Sequence, residues 1–146
     1  MFLVAKRGHV IAIDWDGTLV ESRWPGMGDW LPGATDAVRA FHRAGFKVLV
    51  FSIRLSPFWF DGSLREPADV EKSVAEVRQK LDEAGLAFVG IWTKAGKPPY
   101  SVLIDDKAER YHGTAGAWRR LTEKVMLRLG VEEPLYADWD WEASPA

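Results

Sequence analysis

Residues 11–19 read IAIDWDGTL, an apolar run that ends in two aspartates, Asp14 and Asp16, followed by a Gly-Thr turn. An unbroken apolar run is typical of a strand that is buried on both faces of a parallel sheet. Ligands of open α/β sheets bind beyond the carboxyl ends of the strands, where these two carboxylates would lie. The stretch therefore predicts an α/β fold with a functional site at one edge of its sheet. The alternative is a plain strand exit, in which the aspartates only form turn hydrogen bonds.

The rest of the chain repeats this alternation of apolar segments and amphipathic helices. Strands are predicted at residues 9–14, 46–52, 86–92 and 101–105, and helices at residues 34–44, 67–84 and 115–129. Each of the first two helices ends in Ala-Gly directly before a strand, and glycine suits the residue that follows a helix. Two βα units in series favour a Rossmann-like three-layer sandwich with a central parallel sheet.

Composition excludes several classes of protein. The 146 residues include 47% hydrophobic and 27% charged residues, with a formal net charge of −2 and no cysteine. Disulfide scaffolds, thiol nucleophiles and zinc–thiolate sites are excluded, and a reducing, cytoplasmic location is favoured. No apolar run approaches the roughly 20 residues that would span a membrane. We expect one folded domain over residues 1–130, followed by an acidic, aromatic tail over residues 131–146.

A second pair of acids, Asp105 and Asp106, follows the fourth predicted strand. Taken alone, the pair could equally well form a turn. If the first and fourth strands are neighbours, these acids join Asp14 and Asp16 in a group of four carboxylates. Two like charges ~4 Å apart repel by about 4 kcal/mol at an effective dielectric of 20, so such a group needs a cation or protons. Because every candidate ligand is an oxygen, the sequence favours a hard cation, with Mg²⁺ first.

Polar residues at two other strand ends could bind a phosphoryl group. Ser52 ends the second strand and could donate its hydroxyl proton, and the guanidinium of Arg54 could add a contact. Lys94 and Lys97 lie in the loop before the fourth strand, and either ammonium could offset phosphate charge. Each residue also has an ordinary structural interpretation: a hydroxyl bonded to its own backbone, or a solvated loop lysine.

As an ordered set, these residues resemble the motifs of the haloacid dehalogenase (HAD) superfamily of phosphohydrolases. Residues 14–18 (DWDGT) match its first motif, and Ser52 matches the second. Lys97 matches the third motif, in preference to Lys94, because it lies nearest the fourth strand. Asp105 and Asp106 match the fourth motif. The resemblance covers about residues 9–110 and is closest to the small HAD-like hydrolases that lack a cap domain.

The resemblance implies a Mg²⁺-dependent phosphomonoester hydrolase. Asp14 would attack phosphorus and form an aspartyl-phosphate, and Asp16 would act as general acid and then as general base. The metal would be held by the Asp14 carboxylate, the Asp16 carbonyl and one acid of the fourth motif. Whether Asp105 or Asp106 is the direct ligand stays open.

The resemblance also implies a set of phosphate-binding groups. Ser52 and Lys97 would hold phosphoryl oxygens, together with Ile53 and Arg54 of the second motif. The backbone N–H of Trp15 would add a donor. The expected partner is therefore a phosphorylated substrate, either a small molecule or an accessible phosphate on a macromolecule. The slightly acidic composition argues weakly against nucleic acid, and a homodimer stays open.

Alternative functions on the same fold are a phosphotransferase and a catalytically silent phosphate- or metal-binding module. A response-regulator receiver also uses acids, a hydroxyl and a lysine, but its phosphorylated aspartate ends the third strand rather than the first. Because only about fifteen residues separate the first motif from the next helix, we expect no large cap and an open site. An open site disfavours phosphotransfer, which needs water to be kept out.

One further loop is long for a βα connection. Residues 55–66 follow the second motif and contain three consecutive aromatic residues, Phe58, Trp59 and Phe60. Such connections typically take about 2–6 residues. We expect this loop to supply an apolar wall for the leaving group of the substrate. The alternative is that the rings pack on the protein itself or at a dimer contact.

Overall fold

A computed structural model of the protein describes residues 9–131. The chain divides into two compact units, Met1–Asp106 and Lys107–Ala146, and each is described by itself. The elements are β1 (Val10–Ile13), α1 (Ala34–Arg43), β2 (Lys47–Val50), a 3₁₀ turn (Ile53–Leu55), α2 (Pro67–Glu83), β3 (Gly90–Ile91), β4 (Val102–Ile104) and α3 (Ala117–Arg128). Among residues 9–131, none of the helices combines the length and the apolar character that a membrane span requires.

The first unit contains a four-stranded sheet with the order β3-β2-β1-β4, in which every neighbouring pair is parallel. Ile13 at the end of β1 lies opposite Val50 of β2 and Ile104 of β4. Since the three strands end level with one another, the residues that follow them, Asp14 and Asp105 among them, emerge at the same edge. The predicted α/β class with a central parallel sheet is confirmed.

Both helices of the first unit lie on one face of this sheet. The connections from β1 to β2 and from β2 to β3 step in the same direction, and right-handed crossovers then place both helices on the same side. The guanidinium of Arg39 in α1 donates to the carbonyl of Ala84, just after α2, at 2.7 Å. The core between helices and sheet includes Ile11, Ile13, Val38, Val48, Val50, Val77, Leu81, Leu86 and Val89.

The third strand is much shorter than predicted. The sequence predicts a strand over residues 86–92, but only Gly90–Ile91 pairs with β2. The guanidinium of Arg78 donates to the carbonyl of Val89 at 2.7 Å and to that of Leu86 at 3.3 Å. Because this side chain holds carbonyls that a longer strand would need, the apolar residues before β3 form a turn instead, in which Leu86 and Val89 are buried and Ala87 and Phe88 are exposed.

No large cap is inserted into the first unit. Residues 19–31, here called the hairpin segment, follow β1. In it the Glu21 N–H donates to the Asp29 carbonyl at 2.8 Å, and the Leu31 N–H donates to the Leu19 carbonyl at 2.9 Å. The connection from β3 to β4 spans residues 92–101 and contains no helix or strand. The expected absence of a large cap is confirmed for the described residues.

The second unit is built around α3. The Glu109 carboxylate forms ion pairs with Lys124 at 2.9 Å and with Arg128 at 3.2 Å, and these two cations lower the pKa of the carboxyl. The sequence predicts a buried face of this helix formed by Trp118, Leu121, Val125 and Leu129. Leu121 and Val125 are half-buried, but the prediction is wrong for Trp118 and Leu129, which are exposed. The Trp118 ring instead stacks on Tyr111 within the same unit, with ring centres 4.7 Å apart.

Of the predicted tail over residues 131–146, all residues after Val131 lie outside the part of the chain that the structure describes. The predicted domain boundary at residue 130 therefore stays a prediction.

Candidate active site

Three carboxylates meet at the edge of the sheet where β1 and β4 end. Asp14, Asp105 and Asp106 each offer one oxygen, and these oxygens lie within 4.8 Å of one another. The Asp14 N–H donates to the Ile104 carbonyl at 2.9 Å, which extends the ladder between the two strands up to the site. The predicted proximity of the first and fourth motifs is confirmed, because β1 and β4 are neighbours.

The Thr18 side chain links the first motif to the fourth through hydrogen bonds. The sequence predicts only that this residue belongs to a Gly-Thr turn. Its hydroxyl lies 3.3 Å from Asp14 Oδ2 and 3.4 Å from Asp106 Oδ1, and it accepts from the Asp106 N–H at 3.1 Å. Gly17 has a φ of +82°, and a Cβ placed on it would lie 2.6 Å from Asp106 Oδ2. The left-handed backbone at this position favours glycine, and a larger residue would also displace the Asp106 carboxylate.

The cluster is electrostatically unfavourable without a cation. The pKa of the Asp14 carboxyl is raised from 3.8 to about 6, mainly by burial and then by the charges of Asp105 and Asp106, while the Trp15 N–H lowers it in part. A hard divalent cation prefers carboxylate oxygens as ligands, and it would relieve the repulsion between these three side chains. The residues present therefore fit a metal such as Mg²⁺.

The carboxylate of Asp16 lies outside this cluster, so the expectation that four carboxylates meet at one spot is corrected to three. Both Asp16 oxygens are held by Arg54, whose Nε lies 2.8 Å from Oδ2 and whose Nη2 lies 2.6 Å from Oδ1. The Arg54 side chain is only 1% exposed. A charge-assisted bidentate pair of this kind fixes both the position and the orientation of the carboxylate.

Arg54 also binds the hairpin segment. Its Nη2 donates to the Gly26 carbonyl at 2.7 Å, its Nη1 lies 3.3 Å from the Pro25 carbonyl, and its guanidinium lies 4.6 Å from the centre of the Trp24 ring. The guanidinium is thus directed at Asp16 and the hairpin segment. The sequence did not predict that Arg54 contacts Asp16 or the hairpin segment, because no local pattern indicates that these parts of the chain lie close together.

The second and third motifs meet at a cavity of about 360 Å³, which is lined by Ser52, Lys94 and Lys97 together with neighbouring residues. Ser52 is buried, and its Oγ accepts from the Arg54 N–H at 3.2 Å. That bond uses a lone pair of the hydroxyl, whose proton can still be donated elsewhere. Ile53, the next residue, is exposed at the cavity.

The candidate site thus consists of two adjoining parts at one edge of the sheet: the carboxylate cluster after β1 and β4, and the cavity after β2 and β3. In this α/β fold, the residues that resemble the four HAD motifs follow the carboxyl ends of the parallel strands. A second cavity, of about 490 Å³ beside Phe46 and Lys47, lies where β2 begins, at the opposite ends of the strands.

No protein-family model and no curated protein matches the chain. Similar solved structures include a conserved protein from Bacteroides thetaiotaomicron, with 20% identity and a TM-score of 0.46 over 87% of this chain and 96% of that one. They also include the D,D-heptose 1,7-bisphosphate phosphatase from B. bronchiseptica, solved with magnesium and phosphate, with 14% identity and a TM-score of 0.39 over 84% and 64% of the respective chains. The function is therefore inferred from the residues of the site.

Proposed function

We propose that the protein is a phosphomonoester hydrolase in which Asp14 is the nucleophile. The observation that carries the proposal is the group of three carboxylates around Asp14, beside a cavity lined by Ser52 and Lys97. This arrangement supplies a nucleophilic carboxylate, acidic ligands for a metal, and cationic and hydroxyl donors for a phosphoryl group at one edge of the sheet.

The reaction takes place in two steps. An Asp14 carboxylate oxygen attacks phosphorus, and the bond from phosphorus to the ester oxygen breaks. That oxygen takes a proton from the protonated form of Asp16 and leaves as an alcohol, and Asp16 returns to the carboxylate form that Arg54 binds. Water then attacks the aspartyl-phosphate and passes a proton to Asp16, which releases inorganic phosphate and restores Asp14. Each proton transfer of this kind contributes typically about 10²–10⁴-fold.

The phosphoryl oxygens are held by the Ser52 hydroxyl and the Lys97 ammonium, with Ile53 beside them at the cavity and the Trp15 N–H directed at Asp14. Preorganised donors of this kind act mainly on the charge that develops in the transition state. Mg²⁺ would be held by the Asp14 carboxylate, the Asp16 carbonyl and Asp105 or Asp106, and it would offset the charge that phosphate and carboxylate share.

Arg54 takes a role different from the direct phosphate contact that the sequence suggests. With both Asp16 oxygens bound to its guanidinium, it acts as a positioning residue for the acid and base of the reaction. The hairpin segment supports it through the carbonyls of Pro25 and Gly26.

Hydrolysis of p-nitrophenyl phosphate by the purified chain tests the proposal. We expect turnover with Mg²⁺, its loss with excess EDTA, and its restoration when Mg²⁺ is added back. Asp14→Asn should abolish turnover, whereas Asp36→Asn, a matched change at an exposed aspartate of α1, should not. Turnover that persists under full chelation would contradict the metal, and absence of turnover towards every phosphomonoester would contradict the enzyme.

A further inference from the structure

The loop after the second motif is an ordered hairpin. Within residues 55–66, Phe58 pairs with Leu64, and the Trp59 N–H donates to the Ser63 carbonyl at 2.8 Å. Gly62 has a φ of +84°, as the turn requires. A backbone held in this way presents its side chains in fixed directions.

The three consecutive aromatic residues of this hairpin have three different surroundings. Phe58 lines the cavity that contains Ser52. The Trp59 ring instead covers the buried guanidinium of Arg65, 5.0 Å from the ring centre. Phe60 is 91% exposed. Phe60 lies in the turn of the hairpin, and of the three aromatic residues Phe58 alone lines the cavity.

Apolar residues from other parts of the chain also line this cavity, among them Phe51, Ile53 and Trp92. Ile53 begins the 3₁₀ turn after β2, and Trp92 directly follows β3. The Trp92 indole donates to the Gly96 carbonyl at 3.0 Å, so the ring is fastened to the loop that carries Lys97. The apolar walls are thereby held beside the group that would bind phosphate.

The charge of the cavity suits an anionic phosphoester. Its ten described lining residues include two lysines, Lys94 and Lys97, and no carboxylate. The acidic residues of the site lie in the separate cluster around Asp14. The cavity volume of about 360 Å³ lies at the lower end of the range for small-molecule sites, roughly 300–1,000 Å³.

We propose that this cavity binds the leaving group of the substrate, and that the leaving group carries a planar aromatic ring. The inference rests on the proposed phosphomonoesterase function and adds the class of substrate. Phe51, Phe58 and Trp92 are the ring-bearing residues that line the cavity. Aromatic pairs in offset or edge-to-face geometry gain free energy beyond the burial of apolar area, which a saturated group of the same size does not. Ser52 and Lys97, at the same cavity, mark the side on which the phosphoryl group lies.

A matched pair of substrates tests this inference. Benzyl phosphate and cyclohexylmethyl phosphate differ in whether the ring is planar, whereas their leaving alcohols have similar acidity. We expect the wild-type kcat/KM to be about threefold to tenfold higher for the benzyl ester. Phe58→Ala should reduce this ratio to below half of its wild-type value, whereas Phe60→Ala, in the same hairpin, should leave it unchanged. Because both esters are measured on one preparation, the ratio does not depend on how much of a variant is folded.

The possible results distinguish the aromatic leaving group, the role of Phe58 and the phosphatase function from one another. Turnover of both esters at equal kcat/KM overturns the aromatic leaving group and leaves the phosphatase intact. An equal shift of the ratio by Phe58→Ala and Phe60→Ala overturns the wall at Phe58. No turnover of either ester or of p-nitrophenyl phosphate with Mg²⁺ overturns the proposed function, and this inference with it.

Discussion

The guanidinium of Arg54 holds both carboxylate oxygens of Asp16, at 2.8 and 2.6 Å, although 38 positions separate the two residues in the chain. The pair connects the first motif to the second. Since the same guanidinium binds the carbonyls of Pro25 and Gly26, the hairpin segment is fastened to Asp16 as well. Asp16 thus occupies a fixed position beside the carboxylate cluster but outside it.

We predict that Arg54→Lys lowers kcat roughly tenfold or more and changes KM little. A lysine keeps the positive charge but cannot bind both oxygens at once, so Asp16 loses its fixed orientation. Steady-state kinetics of the wild type and the variant measure the effect. In the Asp16→Asn background the same substitution should cost little further, because Arg54 would act through Asp16. A rise in KM and in the inhibition constant of inorganic phosphate, with kcat unchanged, would instead show that Arg54 binds the phosphoryl group.

Substitution of the two aspartates of the first motif should affect different steps of catalysis. Asp14→Asn should form no covalent phosphate, since an amide cannot act as the nucleophile. Asp16→Asn should still bind inorganic phosphate and should slow both chemical steps by about 10²–10⁴-fold. Acid quenching followed by hydroxylamine treatment detects the aspartyl-phosphate. A hydroxylamine-sensitive phosphoenzyme in Asp14→Asn would identify another residue as the nucleophile.

Lys94 and Lys97 both line the cavity but should differ in their effect on catalysis. The Lys94 ammonium lies 5.7 Å from the centre of the Trp92 ring, so it already has a partner. Lys97→Ala should lower kcat/KM by about 10²-fold, as the loss of one charge-stabilising donor typically does, and Lys94→Ala by only a few fold. Kinetics of the two variants side by side measure this difference. A larger loss in Lys94→Ala would assign the third motif to Lys94.

Metal-free protein should become more stable when the Asp14 charge is removed. The pKa of Asp14 is raised from 3.8 to about 6 in the fold, mainly by burial and then by its acidic neighbours. The folded state therefore binds this proton more tightly than the unfolded state, and stability is lost as pH rises from below 3.8 through about 6. The Asp14→Asn variant has no carboxyl proton at this position, so its stability should not fall over this pH range.

Thermal unfolding in EDTA measures this effect. At about pH 7.5 the Tm of Asp14→Asn should exceed that of the wild type, and the difference should shrink towards about pH 4. Asp36→Asn, at an exposed aspartate, serves as the control. A difference in Tm that does not vary with pH would contradict the raised pKa. Mg²⁺ should raise the Tm of the wild type more than that of the variant, because a ligand stabilises the state that binds it.

Local sequence pattern was sufficient to predict the parallel sheet and the place of the carboxylates. The apolar runs before Asp14 and Asp105 are long enough to define strands, although Val102 of β4 is exposed rather than buried on both faces as the pattern predicts. Parallel strands that end in register must deliver the residues after them to one edge. The short third strand was not predictable in the same way, because the Arg78 side chain competes for the carbonyls of an apolar segment that otherwise resembles a strand.

The sequence by itself therefore determined the α/β class, the edge of the sheet that carries the site, and the residues that follow β1 and β4. Those features depend on local hydrophobicity and on the direction of the chain. The tertiary structure alone decided that Asp16 pairs with Arg54 and that Phe58, rather than Trp59 or Phe60, lines the cavity. Such choices depend on which distant donor, acceptor or ring lies within reach after folding, and side chains with the same local pattern then acquire different partners.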